Sequence, residues 1–332
     1  MEDELAFVLP PPPGDLPGPK PEQGSGEPPK RRELPLRVRR PVEVVVSIPG
    51  YGEEIRSTKA SQPLVEDFTQ DEFRGIPYNL YTPKDYNPAK KYPIVMFIPD
   101  AGPNGDDPLL TLVQGIGATC WVTPEEQAKH PCFVLAPQIR RGVRLTTNAH
   151  TADPMIETIK DLLDDVVDRF SIDRDRIYAT GQSQGCMAMC ELNIRYPEYF
   201  AASMLVSAHW DIEKMTKLTH CHFLIGLSEG GKGEYPNMTA IVDGLEANGV
   251  NVSRLRLNFR DGMEVNNAKV RDVADSQVIY IVFDKDTVFP DDGKVRPEMA
   301  HHYRGWELTY DMEAARDWLF AQHRNAGESS AQ

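Results

Sequence analysis

Short apolar runs punctuate the chain from residue 42 onward, and most of them do not alternate with polar positions. They are Val42-Glu43-Val44-Val45-Val46, Pro93-Ile94-Val95-Met96-Phe97-Ile98, Cys132-Phe133-Val134-Leu135, Ile177-Tyr178-Ala179, Ala202-Ser203-Met204-Leu205-Val206, Phe223-Leu224-Ile225 and Val278-Ile279-Tyr280-Ile281-Val282-Phe283. Runs of this length without a polar face predict strands buried on both sides. Between them the period changes to that of a helix. Met155, Ile156, Ile159, Leu162, Leu163, Val166, Val167 and Phe170 recur at spacings of three and four, with acids outward, which predicts an amphipathic helix lying on a sheet. A second helix is predicted from Met238 through Leu245 to an Asn248-Gly249 stop, and a third from Met312 to His323. Alternating strands and helices predict an α/β fold with a mainly parallel sheet covered on both faces.

The first 40 residues break this pattern. They hold 10 of the 28 prolines, including Pro10 to Pro13, and bury too little apolar surface to offset the entropy of ordering, so residues 1–40 read as a disordered Pro-rich segment. Six basic residues between Lys30 and Arg40 read as part of a solvated linker, with a docking or targeting patch as the alternative. The expected organisation is a folded domain over 41–325, with N-terminal strands in 41–90 and a catalytic core in 91–325, then a disordered tail at 326–332.

Charge narrows the range of partners. The net charge is −14, from 36 basic and 50 acidic residues, which argues against general affinity for nucleic acid or anionic membranes. No apolar run approaches the ~18 residues that span a bilayer, and the start Met1-Glu2-Asp3-Glu4 lacks the basic region of a secretory signal. Five cysteines without a CxxC pair fit reduced thiols better than a disulfide framework. A cytoplasmic protein is expected.

One pentapeptide carries candidate chemistry. Gly181-Gln182-Ser183-Gln184-Gly185 has the form G-x-S-x-G; it follows the strand ending at Thr180 and precedes Cys186-Met187-Ala188-Met189-Cys190-Glu191-Leu192, which reads as a helix. This is the strand–turn–helix setting of a nucleophile elbow, where small flanking residues let a serine project from a sharp turn. Ser183 is the expected nucleophile, and it needs a base to accept its proton. The Gln184 backbone N–H supplies one expected oxyanion donor at the start of the following helix. The other is expected from Ala101 or Gly102, in the loop after the strand ending at Ile98.

Hydrolases of this architecture order their triad as Ser, then Asp or Glu, then His. The adjacent His301 and His302, placed in a loop before the last helix, are the expected source of the base. The acid is expected after the strand at Phe223. Glu229 is the first choice and Asp211, beyond the neighbouring strand, the alternative acid, with Glu234 behind them. Trp210 and Trp306 are candidate pocket walls or core residues.

Several separated segments share one resemblance. Ile76-Pro77-Tyr78-Asn79-Leu80-Tyr81-Thr82-Pro83, Phe97-Ile98-Pro99-Asp100-Ala101-Gly102, Phe133-Val134-Leu135-Ala136-Pro137-Gln138, Asp173-Arg174-Asp175-Arg176-Ile177-Tyr178-Ala179-Thr180-Gly181-Gln182-Ser183 and Arg316-Asp317-Trp318-Leu319-Phe320 resemble, in order, the polyhydroxybutyrate-depolymerase-like esterases, also labelled predicted peptidases. The resemblance runs over roughly residues 65–325. It implies an α/β-hydrolase fold and hydrolysis of small-molecule carboxylic esters through an acyl-enzyme, with neither metal nor organic cofactor. It aligns His302-Tyr303-Arg304-Gly305-Trp306 with the family's His-x-x-x-aromatic segment, which selects His302 over His301. It also sets Gly231 where the family's triad aspartate is expected. Two alternatives follow: a peptidase of the same fold, and an impaired hydrolase kept as a binding or scaffold protein.

Overall fold

The computed structural model describes residues 62–324 apart from Lys232 and Pro290. The expected Pro-rich segment, the run at Val42–Val46 and the tail lie outside the described residues. The observed strands are β1 Thr69–Phe73, β2 Ile76–Tyr81, β3 Tyr92–Ile98, β4 Phe133–Pro137, β5 Ile172–Gln182, β6 Ala202–Val206, β7 Phe223–Ser228, β8 Val252–Leu257 and β9 Val278–Phe283. They form one sheet in the order β1-β2-β4-β3-β5-β6-β7-β9-β8. The pairs β1–β2 and β2–β4 are antiparallel, and all others are parallel.

Every residue of β3, β4, β6, β7 and β9 is buried, as non-alternating apolar runs require when helices cover both faces. One face packs against the helices Met155–Arg169, Gln184–Arg195 and Glu234–Ala247, which contribute Ile159, Leu163, Met189, Ile241 and Leu245. The opposite face carries Trp121, Tyr310, Trp318 and Leu319, together with Val270 from the helix Met263–Arg271. Among the described residues no helix is long and apolar enough to cross a membrane.

The expected loop carrying His301 and His302 is instead a helix, Glu298–Asp311. Gly305 interrupts any amphipathic pattern there, and the packing explains it: a Cβ at that position would come 2.5 Å from Ser207 Oγ and 3.0 Å from the Ser228 backbone N. The helix therefore lies directly across the C-terminal ends of β6 and β7.

All five cysteines are buried free thiols. Burial pushes the Cys221 thiol up to about 12 and raises Cys120, Cys132 and Cys186 from their ordinary value, which suppresses the reactive thiolate. The native protein is expected to react with Ellman's reagent at least tenfold more slowly than a free thiol (~10-fold or more), with all five groups titrating once guanidinium unfolds it. A fast-reacting thiol in the native state would contradict this packing.

Candidate active site

β5 is flanked by β3 and β6, and the chain leaves it through Ser183, whose φ of 52° and ψ of −119° are unusual for a residue bearing a side chain. Two backbone bonds lock the turn: Ser183 N–H donates to Val206 O at 3.1 Å, and Met187 N–H donates to Ser183 O at 3.0 Å. Both flanking glycines are forced by close backbone approach. A Cβ on Gly181 would lie 2.5 Å from Gly185 C and O, and one on Gly185 would overlap the carbonyl oxygen of Ile98. Ser183 is left half-buried at the start of the helix Gln184–Arg195. The Gln184 side chain turns away to Thr146, donating through Nε2 to Thr146 O at 3.3 Å while Thr146 Oγ1 donates to Gln184 O at 3.2 Å.

His302 projects from its helix with Nδ1 2.8 Å from Glu234 Oε2. The His302 side chain is 14% exposed and that of Glu234 only 5%. The Trp306 ring meets the His302 imidazole edge-on, with centroids 4.9 Å apart. Glu234 is the first residue of the helix Glu234–Ala247, one helical turn after Gly231. The absent side chain at 231 is what admits it, since a Cβ there would overlap the Glu234 carboxylate. Gly230 does the same for His301, whose ring would collide with a Cβ at 230. His301 packs edge-on against Phe289 and lies 3.4 Å through Nδ1 from Ser228 Oγ.

The expected acids are engaged elsewhere. Glu229 Oε1 pairs with Arg256 at 3.0 Å, and the Lys285 backbone N–H approaches its other oxygen at 3.5 Å. Burial raises the Glu229 carboxyl, but Arg256 outweighs it and holds the group below its ordinary value. Asp211 caps the short helix Ile212–Met215, accepting from Lys214 N–H at 3.2 Å. The carboxylate on His302 is thus Glu234, the third of the sequence candidates. Its place three residues after Gly231, where the resemblance sets the triad aspartate, was the signal available for it.

The loop after β3 also departs in detail from expectation. Gly102 N–H is already committed, donating to Asp100 Oδ1 at 2.6 Å, and Asp100 N–H donates to Gln114 Oε1 at 3.2 Å. Among the described residues neither Ala101 N–H nor Gln184 N–H has an acceptor. Ser183 Oγ likewise forms no hydrogen bond among the described residues, to His302 or any other group. Trp210 is fully buried core, whereas Trp306 meets the site through His302. Sequence reasoning gave no role to His150, in the loop between β4 and the helix Met155–Arg169, or to His209, after β6; the two rings face each other at 3.3 Å.

No protein-family model matches the chain, and neither does any curated protein. Solved structures do. A thermostable esterase is similar with a TM-score of 0.65 and 27% identity over 79% of this chain and 64% of that one. A feruloyl esterase module from Clostridium thermocellum, solved with sinapinate, is similar with a TM-score of 0.53 and 12% identity over 77% of this chain and 88% of that one. The chain thus spans just under two thirds of the thermostable esterase it resembles. Sheet order, elbow and these likenesses define the class: the chain has an α/β-hydrolase fold, and its structural neighbours are esterases.

Proposed function

We propose that this protein hydrolyses carboxylic esters through an acyl-enzyme on Ser183, with His302 as general base and Glu234 as the acid that orients it. His302 Nε2 takes the Ser183 proton as Oγ adds to the ester carbonyl, then returns it to the departing alkoxide. A water, deprotonated by the same imidazole, releases the acid product. The tetrahedral oxyanion is held by the N–H groups of Gln184 and Ala101.

The observation that carries this reading is the 2.8 Å contact of Glu234 with His302 Nδ1, made through the gap at Gly231. A carboxylate on Nδ1 favours the tautomer with its proton there, which leaves the Nε2 lone pair free to act as base. It also weighs against a decayed scaffold, because the Glu234 carboxylate occupies the space that the missing side chain at Gly231 leaves open. The Ser183–His302 hydrogen bond belongs to the proposal. Such bonds are often long until substrate is seated.

The test is covalent labelling with a fluorophosphonate, alongside assay of p-nitrophenyl acetate and butyrate. Stoichiometric labelling at Ser183, absent in Ser183→Ala, is expected together with turnover of both esters. A folded protein that neither labels nor turns over either ester would reject the reading.

A further inference from the structure

Oxyanion stabilisation requires two donors from different parts of the chain to converge on one point, to within a few tenths of an ångström. In this site one donor, Gln184 N–H, follows β5, and the other, Ala101 N–H, follows β3. Each lies on a turn after its strand, so parallel pairing of the strands does not by itself fix their separation. One side chain touches both turns. Gln114, in the segment after the short helix Leu109–Val113, accepts the Asp100 N–H through Oε1 at 3.2 Å and donates through Nε2 to Asp100 Oδ1. The same Oε1 accepts from Gln182 Nε2 at 3.2 Å, and the Gln114 carbonyl accepts from that amide at 3.3 Å. Gln182 is 1% exposed and immediately precedes Ser183.

The consequences for the Asp100–Gly102 loop follow from counting its amides. Asp100 N–H is taken by Gln114 and Gly102 N–H by Asp100 Oδ1, and the Ala101 N–H between them is the one left to meet a ligand. Asp100 is itself 9% exposed, and the described structure forms no ion pair between it and a lysine or arginine. Burial raises its carboxyl from the ordinary value, while Gln114, the Gly102 N–H and the charge of His302 act in the opposite direction. Tyr303 feels its charge in turn. A carboxylate in this setting depends on its few donors, so losing Gln114 frees the loop to rearrange around Asp100.

Resting on the ester-hydrolase reading, we propose that Gln114 is a positioning residue that holds the two oxyanion donors, Ala101 N–H and Gln184 N–H, in register by bridging Asp100 to Gln182. It does not touch the reacting atoms. Because the oxyanion develops only as the transition state forms, the loss should appear in kcat and leave ground-state binding in place.

The experiment uses the full chain with p-nitrophenyl butyrate as substrate and an alkyl boronic acid as the tetrahedral probe. Gln114→Met, which keeps the volume but removes every polar atom of the side chain, is expected to lower kcat by about 100-fold, the scale of one lost oxyanion donor. KM should change less than about threefold, and boronate affinity should fall in parallel with kcat. Gln114→Glu keeps the acceptor but sets a second carboxylate against Asp100, and the same loss is expected. The double change Gln114→Glu with Asp100→Asn reverses the donor and acceptor across this contact and is expected to recover at least tenfold of it (~10-fold). A merely structural role would lower the melting temperature with kcat and boronate affinity intact, or lower all activities without rescue by the swap. Either result overturns the proposal. If Ser183→Ala turns over as fast as wild type, the underlying hydrolase reading falls and this inference with it. If Ser183→Ala is inactive while Gln114→Met retains wild-type kcat, only the inference falls.

Discussion

Replacing Ser183 with alanine is expected to lower ester turnover by about 10⁴- to 10⁶-fold, the range seen when a serine hydrolase loses its nucleophile. The fold should be preserved. Ser183 is held by its own backbone bonds to Val206 and Met187, and its hydroxyl forms no hydrogen bond among the described residues whose loss would cost stability. Alanine keeps the Cβ and asks the backbone for nothing new. Far-ultraviolet circular dichroism and a melting curve within a few degrees of wild type, beside a rate reduced to background, are the expected pair of results. A variant that folds and still hydrolyses p-nitrophenyl butyrate at the wild-type rate would remove Ser183 from the mechanism.

The second large effect concerns the acid. Glu234→Gln leaves the volume at the His302 ring nearly unchanged but substitutes an amide for the carboxylate on Nδ1, and kcat is expected to fall by about 10³- to 10⁴-fold as the imidazole loses both its favoured tautomer and the counter-charge for its protonated form. Glu229→Gln serves as the control. Its carboxylate faces Arg256 across a partly exposed pair, so the change should cost at most ~1 kcal/mol of stability and leave the rate within about twofold. The decisive variant is a relocation. Gly231→Asp alone puts a side chain into the space the Glu234 carboxylate occupies and should lower ester turnover. Gly231→Asp combined with Glu234→Ala supplies an acid from the loop instead of the helix, and it is expected to recover ~10-fold or more of the rate lost in Glu234→Ala. Wild-type activity in Glu234→Gln, with Glu229→Gln inactive, would return the role to Glu229.

Strands inside the sheet were legible because burial on two faces leaves a chemical trace: β3, β4, β6, β7 and β9 each coincide with an apolar run. Edge strands leave no such trace. β1 reads Thr69-Gln70-Asp71-Glu72-Phe73 and is mostly exposed, and β8 alternates around Arg254 and Arg256, which face outward to acidic partners. The elbow was legible for a different reason, because Gly181 and Gly185 are demanded by local backbone contacts that involve a few neighbours in sequence and one adjacent strand. The acid was not. Its identity depends on which of several carboxylates reaches a ring some 70 residues later in the chain, and sequence proximity to β7 favoured Glu229 although Arg256, from another strand, had already claimed it. His302 was expected in a loop and lies in a helix, because Gly305 obscured the helix it belongs to.

The geometry at residue 183 bears on why this chain keeps a hydroxyl there. A φ of 52° paired with a ψ of −119° is the kind of backbone that glycine adopts cheaply, and a side chain held in such a region costs on the order of 1–3 kcal/mol. Thermal robustness alone would therefore be served by emptying the position. A polypeptide selected only to stay folded gains nothing from a serine where a bare Cα would relax the elbow, and the proposed use of Ser183 as nucleophile accounts for the tension held in this turn.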